Sequence, residues 1–152
     1  MIEYAVRMRQ FSSDGLLSQF AERQQLDASH IDQLVHQVAD FHQSTARASA
    51  DDPYGEPQRI HHWVSENFQH IRPSLRSAQR VAQLDGIQRG VEAERERIET
   101  VLAHRKRDGF IRECHGDLHL GNITLIDGRV TLFDCLEFNA ELRWIDVMSE
   151  VA

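Results

Sequence analysis

At 152 residues the chain is long enough for one domain with a real core, or for part of a larger one. Its 41% hydrophobic and 27% charged residues are those of an ordinary soluble globular protein. The formal net charge of -7, from 17 basic and 24 acidic residues, argues against a general binder of nucleic acid or of anionic membranes, because phosphates are held by excess Lys and Arg.

Residues Ile2, Tyr4, Val6 and Met8 alternate with more polar neighbours, the period of a half-buried strand. The same alternation excludes a signal-peptide apolar block. A lone strand satisfies neither its backbone nor its apolar face, so its partners are expected upstream. Ser12, Ser13 and Asp14 are caps for a short helix carrying Leu16, Leu17 and Phe20 and ending near Gln24. Asp27 caps the next, about Ala28 to Thr45, where Ile31, Leu34, Val35, Val38 and Phe41 recur at helical steps.

The run from Asp51 to Pro57 reads as a loop, and Pro57 can open a helix bearing Ile60, Trp63, Val64 and Phe68. Pro73 ends or kinks that helix. A long polar helical segment follows from about Ala78 to Arg107, with Gly86 and Gly90 as candidate break points and Asp108-Gly109 as its stop. Its basic end, Arg105 to Arg107, suits the helix dipole and reads as solvated. Strands are expected near Phe110 to Cys114, Ile123 to Ile126 and Val130 to Phe133, the last two joined by Asp127-Gly128, a two-residue hairpin signal. Leu142 to Ala152 reads as a helix without a stop signal. Trp63, Phe68, Phe41 and Trp144 are expected in the core. No apolar run approaches the roughly 20 residues that cross a bilayer. Two cysteines without CxxC spacing exclude a disulfide framework and suit a reducing, cytoplasmic setting.

The chemistry concentrates between Glu113 and Asp134. Two short apolar runs bracket a tight turn, and Asp117, Asn122 and Asp134 stand at their outer ends, where three oxygen-bearing side chains can cradle a hard cation such as magnesium. His115 to Asn122 has the spacing H-x-D-L-x-x-x-N of phosphotransferase catalytic loops. In that chemistry one carboxylate accepts the acceptor's hydroxyl proton, an amide oxygen reaches the metal, and a second carboxylate holds the metals that bridge the phosphates. Read alone, the spacing is weak; the following strand, Asp-Gly turn and strand ending in Phe133-Asp134 make it specific.

The segments ECHGDLHLGN (113–122), LFDCLEFN (132–139) and ELRWID (141–146) resemble the aminoglycoside phosphotransferase, or choline kinase-like, family, and within it a bacterial subgroup followed by a P-loop ATPase domain. YAVRMRQF (4–11) resembles that subgroup's strand and hinge between two lobes. The resemblance implies an α+β, protein kinase-like fold. Residues 1–11 would be the last N-lobe strand and the hinge, and 12–152 the helical C-lobe with its catalytic β-hairpin, cut short at its end. It implies Asp117 as catalytic base, Asn122 and Asp134 as magnesium ligands, and Met8 and Gln10 beside the nucleotide, ATP or another nucleoside triphosphate. His115 would buttress the loop, and Asp146 would hydrogen-bond the loop backbone. The implied partners are a small-molecule hydroxyl acceptor, an N-lobe and a downstream ATPase domain, with no nucleic acid and no membrane. Glu137 and Glu141 are candidates for recognising a cationic acceptor.

The chain has neither G-x-G-x-x-G nor G-x-x-x-x-G-K-[ST], and no lysine placed to hold the nucleotide from above, so activity in isolation is not expected. Two other readings compete. One is a non-catalytic binding or regulatory module of a larger ATPase-fused protein. The other is a metal-dependent phosphoesterase, because His115, Asp117 and His119 alternate as ligands that suit zinc, manganese or iron.

Overall fold

The helices begin where polar caps precede the apolar positions. The computed structural model describes residue 7 and residues 10–151. Met8 and most of the expected first strand lie outside them; Arg7 and Gln10 are exposed and in no regular element. A 3-10 turn, Ser13–Gly15, is capped by the Ser12 hydroxyl, which accepts from the Asp14 N–H, and α1 follows as Leu17–Glu22. Helix α2, Ala28–Ser44, opens with a capping box. The Asp27 carboxylate accepts from the N–H groups of Ser29 and His30, and the His30 ring accepts from the Asp27 N–H. Pro57 stands in the first turn of α3, Pro57–Ile71, which a 3-10 turn at Arg72–Ser74 closes.

Helix α4, Ala78–Arg107, starts at the Ser77 cap and runs unbroken for 30 residues. Gly86 and Gly90 do not divide it. A glycine inside a helix costs only about 1 kcal/mol relative to alanine, too little to break a segment that packs along α3 and holds no proline.

The strands form two small antiparallel pairs, so the fold is α+β. Strands β2, Ile123–Ile126, and β3, Arg129–Leu132, make the expected hairpin with Ile123 opposite Leu132 and Leu125 opposite Val130. Asp127 and Gly128 both have positive φ, 50° and 75°, as a two-residue turn matched to the strand twist requires. Strand β1, Ile111–Glu113, pairs with β4, Trp144–Asp146, and no local pattern announced β4. The helix expected from Leu142 onward is instead a four-residue α5, Ala140–Arg143, then β4, then α6, Val147–Val151. Pairing with β1 outweighs helix propensity here, because Trp144 and Ile145 are strand-favouring residues and a long-range ladder is available.

Segment 46–48 lies along the other edge of β1, with Ala48 N–H donating to Ile111 O and Glu113 N–H to Ala46 O, both at 3.0 Å. The tightest apolar cluster, Leu17, Ile123 and Val130, sits under the hairpin and is ringed by Leu34, Leu118, Leu120 and Leu132. Trp63 is not in the core. It is 37% exposed, because its indole is drawn to a carboxylate on α5. Trp144 is half-buried and stacks on Tyr54 at 5.4 Å. Among the described residues no helix is long and apolar enough to cross a membrane.

The glycines give opposite expectations. Nothing lies within 4 Å of a β-carbon at Gly90, and only an Arg89 side-chain tip lies at 4.0 Å from one at Gly86. Replacing both with alanine is expected to stabilise the protein by about 1–2 kcal/mol in thermal or urea unfolding. At Gly55, φ +69°, a β-carbon would meet Ile111 Cγ1 at 2.3 Å. Gly55→Ala should therefore destabilise by about 2 kcal/mol or more.

Candidate functional site

Strand β1 leads through the buried Cys114 and His115 to Asp117 and His119 at the surface, and this continuation is fixed by backbone bonds on both sides. The Cys114 N–H donates to Arg143 O at 2.7 Å and the Leu136 N–H to His115 O at 2.9 Å. Gly116 takes φ +84°, and a β-carbon there would meet Leu142 O at 2.8 Å, so this bend admits only glycine. His115 is buried. Its Nδ1 accepts from the Asp117 N–H at 3.3 Å, so Nε2 carries the proton and donates to Phe133 O at 2.8 Å.

Asp117 and Asn122 meet directly. The Asn122 amide donates to the Asp117 carbonyl at 2.9 Å and to Asp117 Oδ2 at 3.0 Å. This spends the nitrogen of a 7% exposed side chain, while among the described residues its oxygen accepts no hydrogen bond. The Phe133 N–H donates to Asn122 O at 3.1 Å, and His115 holds Phe133 O, which brings Asp134 to the same end of the hairpin. There the backbone turns to φ 61°, and Asp134 is exposed. Gln10 is exposed beside Phe11, whose ring packs edge-on against Phe133 at 4.9 Å.

Asp146 does not reach the loop. Its carboxylate binds Arg105 through two bonds, 2.6 and 2.8 Å, and caps the Met148 N–H at 2.8 Å. This pairing raises the Arg105 guanidinium above its already high range. The carboxylate that holds the loop is Glu150, one helical turn later. Its Oε1 accepts from the Gly116 N–H at 2.7 Å, and its Oε2 lies 2.6 Å from His42 Nε2 on α2. Both carboxylates follow Trp144 closely in sequence, and only β4 decides which of them turns toward the loop. Glu150 and His42 carried no signal for this role, because nothing in the spacing links position 42 to position 150.

The alternating trio His115, Asp117 and His119 does not form a metal site. Both nitrogens of His115 are already engaged. His119 caps the 3-10 turn Leu120–Asn122, its Nδ1 accepting from the Gly121 N–H at 3.0 Å, with Nε2 3.6 Å from Asp117 Oδ2. His42, Cys114 and Glu150 bring ligand atoms within 4.8 Å of one another, yet Glu150 is engaged by His42 and the Gly116 N–H, and the Cys114 thiol donates to Ile145 O at 3.7 Å. Burial, reinforced by the charges of Glu150 and Asp146, pushes the Cys114 thiol up to about 12. Cys135 is exposed.

The basic end of α4 is only partly solvated. Arg105 serves Asp146 and covers the Phe110 ring, and Lys106 donates to Asp52 O and pairs with Glu56 at 3.2 Å. Glu141 is likewise committed, accepting from Arg59 and, at 3.0 Å, from the Trp63 indole. Glu137 is exposed, and its carboxylate has no partner among the hydrogen bonds and ion pairs of the described residues.

Proteins of Mycobacterium bovis and Mycobacterium tuberculosis, each named only as uncharacterized, are 33% identical to this chain over 125 residues. The match covers 80% of this chain and 24% of each relative, so the chain spans about a quarter of the length of the curated relatives it matches. No family model and no solved structure matches.

Removing the Glu150 carboxylate leaves two part-buried polar groups, the Gly116 N–H and the His42 ring, without this partner, at about 1–3 kcal/mol each. Glu150→Ala is expected to cost about 2–4 kcal/mol in urea unfolding, and His42→Ala less. For the cysteines, a thiol-specific chromophoric reagent at pH 8 should modify Cys135 within minutes and Cys114 only after unfolding. A folded-state value raised from 9.0 to about 12 keeps the Cys114 thiol neutral in the native protein. Its contribution to stability is therefore full below pH 9 and declines as pH rises toward 12, a loss that Cys114→Ser should abolish.

Proposed function

We propose that this chain supplies the catalytic half of an ATP- and magnesium-dependent phosphotransferase acting on a hydroxyl group, related to the aminoglycoside phosphotransferases and kinase-like in fold. The observation that carries this reading is the junction of Asp117 with Asn122 at 3.0 Å, linked through a single peptide bond from Phe133 to Asp134. The donor set also fits a hard cation. With the nitrogens of His115 spent, Asn122 and Asp134 offer oxygen alone, which suits magnesium and not a softer metal.

Asp117, exposed on its loop, accepts the proton of the acceptor hydroxyl. The Asn122 amide N–H steers the carboxylate by holding Oδ2. Asn122 and Asp134 would hold the metal through their oxygens, and Gln10 would lie by the nucleotide. Bound there, a magnesium nucleotide supplies the phosphoryl group and neutralises charge on its phosphates. His115 keeps the two segments in register, and Glu150 keeps the Gly116 bend in place.

Because Glu141 is neutralised by Arg59, recognition of a cationic acceptor falls to Glu137. The relatives' greater length leaves room for an N-lobe that covers the nucleotide and for a further ATPase domain. A cytoplasmic setting accords with the nucleotide and with unpaired thiols. The phosphoesterase reading is weakened by the engagement of both His115 nitrogens, whereas a binding or regulatory module shares every feature except turnover.

The test is MgATP turnover by the chain together with its natural upstream sequence. Asp117→Asn is expected to lower kcat by roughly 10²–10⁴-fold with nucleotide affinity held within a few fold. Equal turnover in both proteins would sink the proposal. Nucleotide binding without any turnover would favour the regulatory module.

A further inference from the structure

His119 stands beside the proposed base, at the cap of the 3-10 turn Leu120–Asn122. Its side chain is 58% exposed, and that of Asp117 is 51% exposed, so neither is buried for packing. The ring is nevertheless held. Nδ1 accepts from the Gly121 N–H at 3.0 Å, and a β-carbon at Gly121 would lie 2.8 Å from His119 Cε1, so the glycine leaves the space the imidazole fills. Because Nδ1 accepts, the neutral ring carries its proton on Nε2. That nitrogen lies 3.6 Å from Asp117 Oδ2, beyond hydrogen-bond reach. The site therefore presents, side by side and open to solvent, a carboxylate that accepts and an N–H whose partner is not Asp117.

Phosphoryl transfer develops charge on the oxygens of the moving group and needs fixed donors there. Between Glu113 and Asp134 the only Lys or Arg is Arg129, at the far end of the hairpin against α2. His119 is thus the side chain of the loop able to donate beside the base. Resting on the phosphotransferase reading, we propose that His119 is a second catalytic residue, donating its Nε2–H to a non-bridging oxygen of the phosphoryl group as it transfers. The acceptor oxygen forms its bond to phosphorus while its proton passes to Asp117. The electron pair of the broken bond from phosphorus to the bridging oxygen leaves with the nucleoside diphosphate, and His119 keeps its proton throughout.

The test is calorimetry on the full-length natural protein with MgADP alone and with MgADP plus aluminium fluoride, a mimic of the transferring group. His119→Ala, which also loses the cap on the 3-10 turn, should stay folded and hold MgADP affinity within about twofold, while losing roughly tenfold or more of the gain that aluminium fluoride gives. His119→Gln, whose amide nitrogen can occupy the Nε2 position, should recover part of it. An undiminished gain in His119→Ala would overturn this role, even with Asp117→Asn still inactive and the phosphotransferase reading intact. Failure of the unsubstituted protein to bind MgADP would overturn that reading and this role with it.

Discussion

A single buried imidazole holds the candidate site together. His115 accepts from the Asp117 N–H on one side and donates to Phe133 O on the other, while its own carbonyl accepts from Leu136. Two segments separated in sequence by the whole hairpin are thereby fixed to one ring. Neither segment has a regular ladder of its own at these positions. Without the imidazole, two backbone groups, the Asp117 N–H and Phe133 O, would need other partners in a part-buried region, where unpaired polar groups are costly. The order of Asp117 relative to Asp134 follows from this bridge more than from the hairpin, whose register ends at Leu132.

Around that bridge the fold distributes its charges in pairs. Asp146 anchors the end of α4 through Arg105, Glu150 anchors the Gly116 bend against α2, and Glu141 gathers α3 through Arg59 and Trp63. Acidic residues of the segment 141–150 thus tie α2, α3 and α4 to the strands and loop around the site. Such half-buried pairs add modestly to net stability, yet removing one partner is expensive, so they specify an arrangement more than they strengthen it. Asp134 and Glu137, whose carboxylates have no partner among the hydrogen bonds and ion pairs of the described residues, lie at the surface.

Much of this was legible in the residues. The cap at Asp27, the proline at the start of α3 and the Asp127-Gly128 turn are local signals, and each element began where its signal stood. The meeting of Asp117 with Asn122 was legible too, because a fixed spacing within one loop sets both. What escaped notice was non-local. Strand β4 exists through its pairing with β1, more than thirty residues earlier, and α2 meets the loop through His42 and Glu150, 108 residues apart. Asp146 was given the loop-holding role by its place in a motif, whereas the turn from β4 into α6 hands that role to Glu150. Gly86 and Gly90 misled in the other direction, since a penalty that is real for a residue is small against a helix of 30.

Asp134 sits at φ 61°, a left-handed conformation that a side chain adopts at a cost of order 1–2 kcal/mol and that glycine adopts freely. Aspartate is among the few side chains that tolerate this conformation, because its short carboxylate can hydrogen-bond locally. The turn that ends the hairpin thus sets a carboxylate, and not a bare glycine, at the surface.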